Sequence, residues 1–171
     1  LHQAFGCYMK RLLLPAMTAL LLCTGTAWAR GSLDDAYAAY RQSDYAKALK
    51  IFRSLAAKGD ANSQYSLGAM YERGNGVAKD YAEAIQWYLL AAAQGRSEAQ
   101  YNLGGMYHDG KGVAQDYAAA VKWYRLAAAQ GDADAQHNLA VAYDTGKGVA
   151  QDYVRAHMWF NLAAASGDDD S

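Results

Sequence analysis

The chain has 171 residues, 53% of them hydrophobic and 19% charged, with a formal net charge of -1. That length suits one domain with a continuous core, and the near-neutral charge leaves no electrostatic footprint for nucleic acid. The single proline is Pro15, so no proline interrupts a helix further on, which favours an all-α chain.

The first segment reads as a leader. Met9-Lys10-Arg11, the leucine runs 12–14 and 20–22, and Ala27-Trp28-Ala29 are the basic, apolar and A-x-A parts of a secretory signal peptide. Residues 1–29 are therefore set apart, with Met9 as the expected start, residues 1–8 as an upstream extension and cleavage after Ala29. The apolar run is short for a bilayer span, so no membrane span is expected after cleavage. A lipid anchor needs a small residue before Cys23, and Leu22 stands there. Cleavage takes away both cysteines, Cys7 and Cys23, and with them disulfides, Cys-ligated metal and a Cys nucleophile. It also takes Lys10 and Arg11 from the 16 basic residues, leaving 14 against 17 acidic. The expected location is the periplasm or the exterior of a bacterium.

Residues 30–60 form a short first unit, in which a helix ending near Tyr40 leads directly to Asp44 and a second helix. Three longer units follow over 61–96, 97–132 and 133–171. Gly110-Lys111-Gly112-Val113-Ala114-Gln115-Asp116-Tyr117 has copies starting at Gly74 and Gly146, each displaced by 36 residues. A period of that length signals stacked helical hairpins, none able to bury its apolar face alone. Within each unit a helix A is expected over 61–73, 97–109 and 133–145, with one apolar stripe and a mid-helix small residue, Gly68, Gly104 or Ala140. Those positions predict close backbone approach. A glycine loop follows, the first glycine in the left-handed region, then Asp80, Asp116 or Asp152 as N-cap of a helix B over 80–94, 116–130 and 152–166. Trp87, Trp123 and Trp159 are expected to fill the gap to the neighbouring unit. After the last helix B the chain stops at Ser171 with an apolar flank uncovered, which reads as truncation of a longer protein, with pairing to another chain as the alternative.

Leu-Gly-x-x-Tyr, Gly-x-Gly-Val-x-x-Asp-Tyr, Ala-x-x-Trp-Tyr and Ala-Ala-x-x-Gly at this spacing resemble the Sel1-like repeat, a relative of the tetratricopeptide repeat. The first unit looks tetratricopeptide-like and is expected to act as the N-terminal cap. The resemblance implies a right-handed α-solenoid whose helix-A-lined concave surface holds a protein or peptide partner. A cysteine-rich subset of that family is associated with β-lactam binding. The paired cysteines are missing here, so that activity is not carried over.

By the same resemblance the groove positions are Asn62, Glu98 and Asp134; Tyr65, Tyr101 and His137; Ala69, Gly105 and Val141; and Glu72, His108 and Asp144. Tyr65 and Tyr101 offer stacking faces for a peptide or a sugar, while Ser66, Asn102 and Asn138 offer hydrogen bonds to backbone amides. Packing against the next repeat is an equal use for half of them. His108, His137 and His157 lie in different units without ligand spacing, so no zinc site and no cofactor are expected. Adjacent helical residues point apart, which excludes a His108–Asp109 dyad. With no G-x-S-x-G, H-E-x-x-H, Rossmann or P-loop context, no enzymatic activity is expected. The reading is an exported scaffold or adaptor; an envelope polysaccharide or peptidoglycan binder is the alternative, and a hydrolase a distant one. Partner identity and oligomeric state stay open.

Overall fold

The computed structural model describes residues 24–168; residues 1–23 of the expected leader segment, with both cysteines, and residues 169–171 lie outside them. Eight helices follow one another among the described residues: α1 (Thr24–Arg41), α2 (Tyr45–Ala56), α3 (Ala61–Arg73), α4 (Tyr81–Ala93), α5 (Ser97–Asp109), α6 (Tyr117–Ala128), α7 (Ala133–Thr145) and α8 (Tyr153–Asp168). They contain no strand. Each helix packs mainly on the helix before and the helix after it in the chain, with the fuller contact inside a hairpin. This is the stack of helical hairpins expected from the period, and the right-handed all-α solenoid that the resemblance implied.

Local chemistry fixes where each helix starts. The carboxylates of Asp80, Asp116 and Asp152 accept from the backbone N–H groups of Glu83, Ala119 and Arg155 at 2.9–3.0 Å. Asp60 and Asp132 do the same for α3 and α7, whereas Arg96 starts α5 without a side-chain cap. The helix-A ends run into Gly74, Gly110 and Gly146 in the left-handed region. The second loop glycine has a further constraint. A Cβ on Gly112 would lie 2.7 Å from the Tyr81 backbone, so the loop of one repeat rests on the start of helix B in the repeat before.

Three clusters make the core, each bringing helix B of one repeat onto helix A of the next. Leu67, Met70 and Phe52 fill the first, Tyr88, Leu103 and Met106 the second, and Tyr124, Leu139 and Tyr143 the third. Full burial of one such side chain contributes about 1.5–3 kcal/mol. Trp87 and Trp123 pack from the following helix B onto the first and second clusters, the joint they were expected to fill.

The mid-helix glycines correct one expectation. What comes close to Gly68 and Gly104 is an aromatic ring, not a helix backbone: an added Cβ would stand 2.5 Å from Cδ1 of Tyr88 or Tyr124. Both rings are buried, and burial pushes both phenols well above their ordinary pKa. At the fourth repeat Ala140 occupies the glycine position and Phe160 the ring position, half-buried rather than buried.

A polar ladder runs through the apolar seam. Gln64, Gln100 and Gln136 are each about 5% exposed or less. Each donates to a carbonyl of the preceding helix B, from Ala56, Ala92 or Ala128, at 3.2–3.3 Å. Each amide oxygen in turn accepts from the end of its own repeat's helix B: Gln94 and Gln130 at 2.7 Å, and Ser166 at 3.3 Å. The buried amides are thereby satisfied on both sides, which makes the seam tolerable in a low-dielectric interior.

Candidate partner-binding groove

Successive helices A leave a cleft between them, and three such clefts form one row. The first, about 170 Å³ between α1 and α3, is lined by Tyr37, Tyr40, Phe52, Tyr65, Ser66 and Arg73. The second, about 200 Å³ between α3 and α5, collects Glu72, Tyr101, Asn102, Asp109 and Lys111. The third is the largest, about 280 Å³ between α5 and α7, with Tyr101, His108, Tyr124, Asn138, Val141 and Lys147 around it.

A tyrosine recurs between these clefts. Tyr37, Tyr65 and Tyr101 hold one position of helix A, and each hydroxyl meets a polar side chain of the next helix A. Ser66 Oγ lies 3.2 Å from the Tyr37 hydroxyl. Asn102 lies beside the Tyr65 hydroxyl and Asn138 beside that of Tyr101. Burial raises the pKa of both Tyr65 and Tyr101, and the neighbouring carboxylates Glu98 and Asp134 respectively add to it. The two phenols are thus neutral donors at physiological pH. Tyr88 donates to Glu72 Oε2 at 2.7 Å from below, which fixes that carboxylate at the groove floor.

The expected site residues divide into two sets. Tyr65, Ser66, Glu72, Tyr101, Asn102, His108 and Asn138 line clefts. The others line none of these three. Asn62 accepts from Arg96, whose guanidinium lies 5.0 Å over the Tyr65 ring and pairs with Glu98 at 3.1 Å. Asn62 and Glu98 are thus the two ends of a rim clasp between α3 and α5. His137 packs edge-on against Phe160 with ring centroids 5.4 Å apart, and Asp134 and Asp144 are exposed.

His108 and Asp109 require a correction. They do not point apart: His108 Nδ1 lies 2.9 Å from Asp109 Oδ1. At the last turn of α5, just before Gly110, both side chains are free to bend outward, and Lys111 Nζ at 2.8 Å draws the same carboxylate. His108 first and Lys111 second hold the Asp109 carboxyl below its ordinary range. Both members are exposed, with 48% and 43% of the side-chain surface accessible, and with Lys111 they form a surface hydrogen-bonded cluster.

Tyr37, Tyr40, Arg73, Lys111 and Lys147 line the clefts without having been picked out from the sequence. For Tyr37 the signal was present: it falls 28 residues before Tyr65, the period shortened by the missing glycine loop. Among the described residues no group of three His, Cys, Asp or Glu side chains is placed to hold a metal, and no helix is long and apolar enough to cross a membrane.

The model of one family, described as Sel1 repeat, matches residues 37–60, 61–95, 97–132 and 133–168. No curated protein matches the chain. Among solved structures, a Sel1 repeat protein from Oxalobacter formigenes is 35% identical with a TM-score of 0.77, over 81% of this chain and 57% of that one. The protein c5321, a protective antigen present in uropathogenic Escherichia coli strains, is 40% identical with a TM-score of 0.79, over 90% of this chain and 34% of that one. Cysteine-rich protein B of Helicobacter pylori shares the fold at 24% identity and a TM-score of 0.58, over 74% and 91% of the two chains. The chain thus spans 57% and 34% of the length of the first two.

Proposed function

From the premise that this chain belongs to the Sel1-repeat family, whose repeats are protein-binding modules, we propose that it is an exported, non-enzymatic scaffold holding a protein or peptide partner along the row of helix-A clefts. One observation carries this reading. The three clefts lie in register between successive helices A, and Tyr65 and Tyr101 stand between them as neutral donors with apolar faces. An extended segment laid across the row meets a stacking face and an amide at each step, from Asn102 and then Asn138. The resident groups bond to one another without closing the clefts, so a peptide backbone exchanges with existing partners and leaves no buried donor orphaned. Export is supported by the leader pattern from Met9 to Ala29.

The test is site-specific photo-crosslinking in the native envelope. A crosslinker at residue 101 is expected to trap a protein partner, while one at Leu90, 49% exposed on helix B, does not. Replacing Tyr65 and Asn102 together by alanine is expected to abolish the product with helicity unchanged. Equal trapping from residues 101 and 90, or undiminished trapping in the double variant, excludes the groove. N-terminal sequencing of the exported chain is expected to begin at Arg30; an unprocessed chain confined to the cytosol removes the export half of the proposal.

A further inference from the structure

The third cleft is lined by Lys147 and by Asp109, whose carboxylate His108 and Lys111 already hold. Its floor is apolar, made by the Tyr101 and Tyr124 rings with Val121 and Val141. At about 280 Å³ it falls below the usual 300–1,000 Å³ of small-molecule pockets, so its scale is that of one side chain of a larger partner. Over this floor stands Lys147, its ammonium 5.6 Å from the Tyr117 ring centroid, and the His108 ring meets the same tyrosine edge-on at 5.2 Å.

The repeat itself shows what Lys147 lacks. Its counterpart one period earlier, Lys111, is neutralised by Asp109 at 2.8 Å. One period after Asp109 stands Thr145, whose hydroxyl donates to the Val141 carbonyl. Among the described residues Lys147 has no carboxylate partner: Asp109 is engaged by His108 and Lys111, and the exposed Asp144 makes no ion pair with it. An uncompensated ammonium beside an apolar floor is complementary to a carboxylate carried next to an apolar side chain.

Resting on the peptide-binding reading above, we propose that the α5–α7 cleft selects an acidic residue of the partner segment, a Glu or Asp flanking an apolar side chain. The apolar side chain lies on Tyr101, Tyr124 and Val141, the carboxylate meets Lys147, and Asn138 takes the intervening backbone amide. A lysine suits this role as a point charge that accepts a carboxylate from several directions.

The experiment selects random twelve-residue peptides displayed on phage against three proteins: the unaltered chain, Lys147→Glu, and Tyr101→Ala with Asn102→Ala. The unaltered chain is expected to enrich Asp or Glu next to Leu, Ile or Phe. Individual enriched peptides are expected to lose about tenfold in affinity on Lys147→Glu, the scale of one charge pair turned repulsive. Lys147→Glu is expected to enrich Lys or Arg at that place instead. Lys147 is exposed in a loop, so circular dichroism of this variant is expected to match the unaltered chain. Peptides that require Tyr101 and Asn102 but show no acidic preference, or ignore Lys147→Glu, overturn the pocket and leave the groove standing. No enrichment at all, or binding indifferent to Tyr101 and Asn102, overturns both. Retention of polygalacturonate through Lys147 in place of any peptide overturns the peptide as occupant.

Discussion

Two adjacent glycines of α5 make opposite predictions. Replacing Gly104 by alanine gains about 1 kcal/mol of helix propensity. It also places a methyl 2.5 Å from Cδ1 and Cε1 of Tyr124, a ring 5% exposed in the third core cluster. That ring has little room to retreat, since Tyr101 lies on it at 6.0 Å between centroids. Overpacking of this kind costs about 1–3 kcal/mol, so Gly104→Ala is expected to lose about 1 kcal/mol net. At Gly105 an added Cβ meets nothing nearer than the Tyr124 hydroxyl at 4.0 Å. Gly105→Ala therefore keeps its propensity gain and is expected to stabilise by about 1 kcal/mol.

The difference between the two variants, about 2 kcal/mol, isolates the ring contact, because the propensity change is common to both. Equilibrium urea unfolding followed by far-ultraviolet circular dichroism measures it, with the slope checked for constancy. If both variants stabilise alike, the ring–glycine contact does not explain the glycine, and the account of the seam is wrong.

Other expectations follow from the same packing. Gln100→Ala removes two hydrogen bonds, to the Ala92 carbonyl and from the Gln130 amide, and at about 1 kcal/mol each urea unfolding is expected to show a loss of about 2 kcal/mol. Asp116→Ala removes the cap on α6 and is expected to cost about 1 kcal/mol by the same assay. Tyr88 and Tyr124 have folded pKa values raised by burial, so their contribution is full below the ordinary tyrosine pKa of about 10 and is lost as pH rises beyond it. Phenolate absorbance is expected to show these two rings ionising only as the helices melt, a late phase absent from the double phenylalanine variant. Asp109 has the opposite sign: its folded pKa is lowered, so its contribution is present above about pH 4 and is lost as pH falls through the depressed value. With 43% of that side chain accessible the effect is screened to below about 1 kcal/mol, and Asp109→Asn is expected to flatten the acid limb of stability by that amount.

Helix positions were legible because three kinds of signal recur in phase: apolar stripes, loop glycines and capping aspartates. The ring on Gly104 was not, because a small residue announces close approach without naming what approaches. The glutamine ladder was hidden for a different reason. Gln64 and Gln100 sit on an apolar stripe, and their partners lie on other helices, Ala56 eight residues before Gln64 and Gln94 thirty after it. Recurrence of Gln94 and Gln130 in phase with Gln64 and Gln100 was the available clue. Helix geometry placed the groove positions on one face but not in one cleft, since Asn62 and Glu98 are tied up by Arg96, a residue outside the helical pattern. His108 and Asp109 show the limit of reasoning from Cα directions, because flexible side chains at a helix end reach across the angle between them.

The repeat divides its positions by use. Tyrosine rings on glycine, buried glutamines and capping aspartates recur and carry the stack, while residues over the clefts change from unit to unit. The first cleft is aromatic with Arg73, the second holds Glu72 and Asp109 with Lys111, and the third shares Asp109 but adds Lys147, which among the described residues pairs with no carboxylate. Because a solenoid's stability is close to a sum over neighbours, the character of one cleft can be altered without loosening the others. In the proposed binding mode a linear partner meets an ordered series of charges, and its direction along the groove becomes part of what is recognised. Reversing the charge at Lys147, an exposed loop residue over the Tyr117 ring, tests that order at one end.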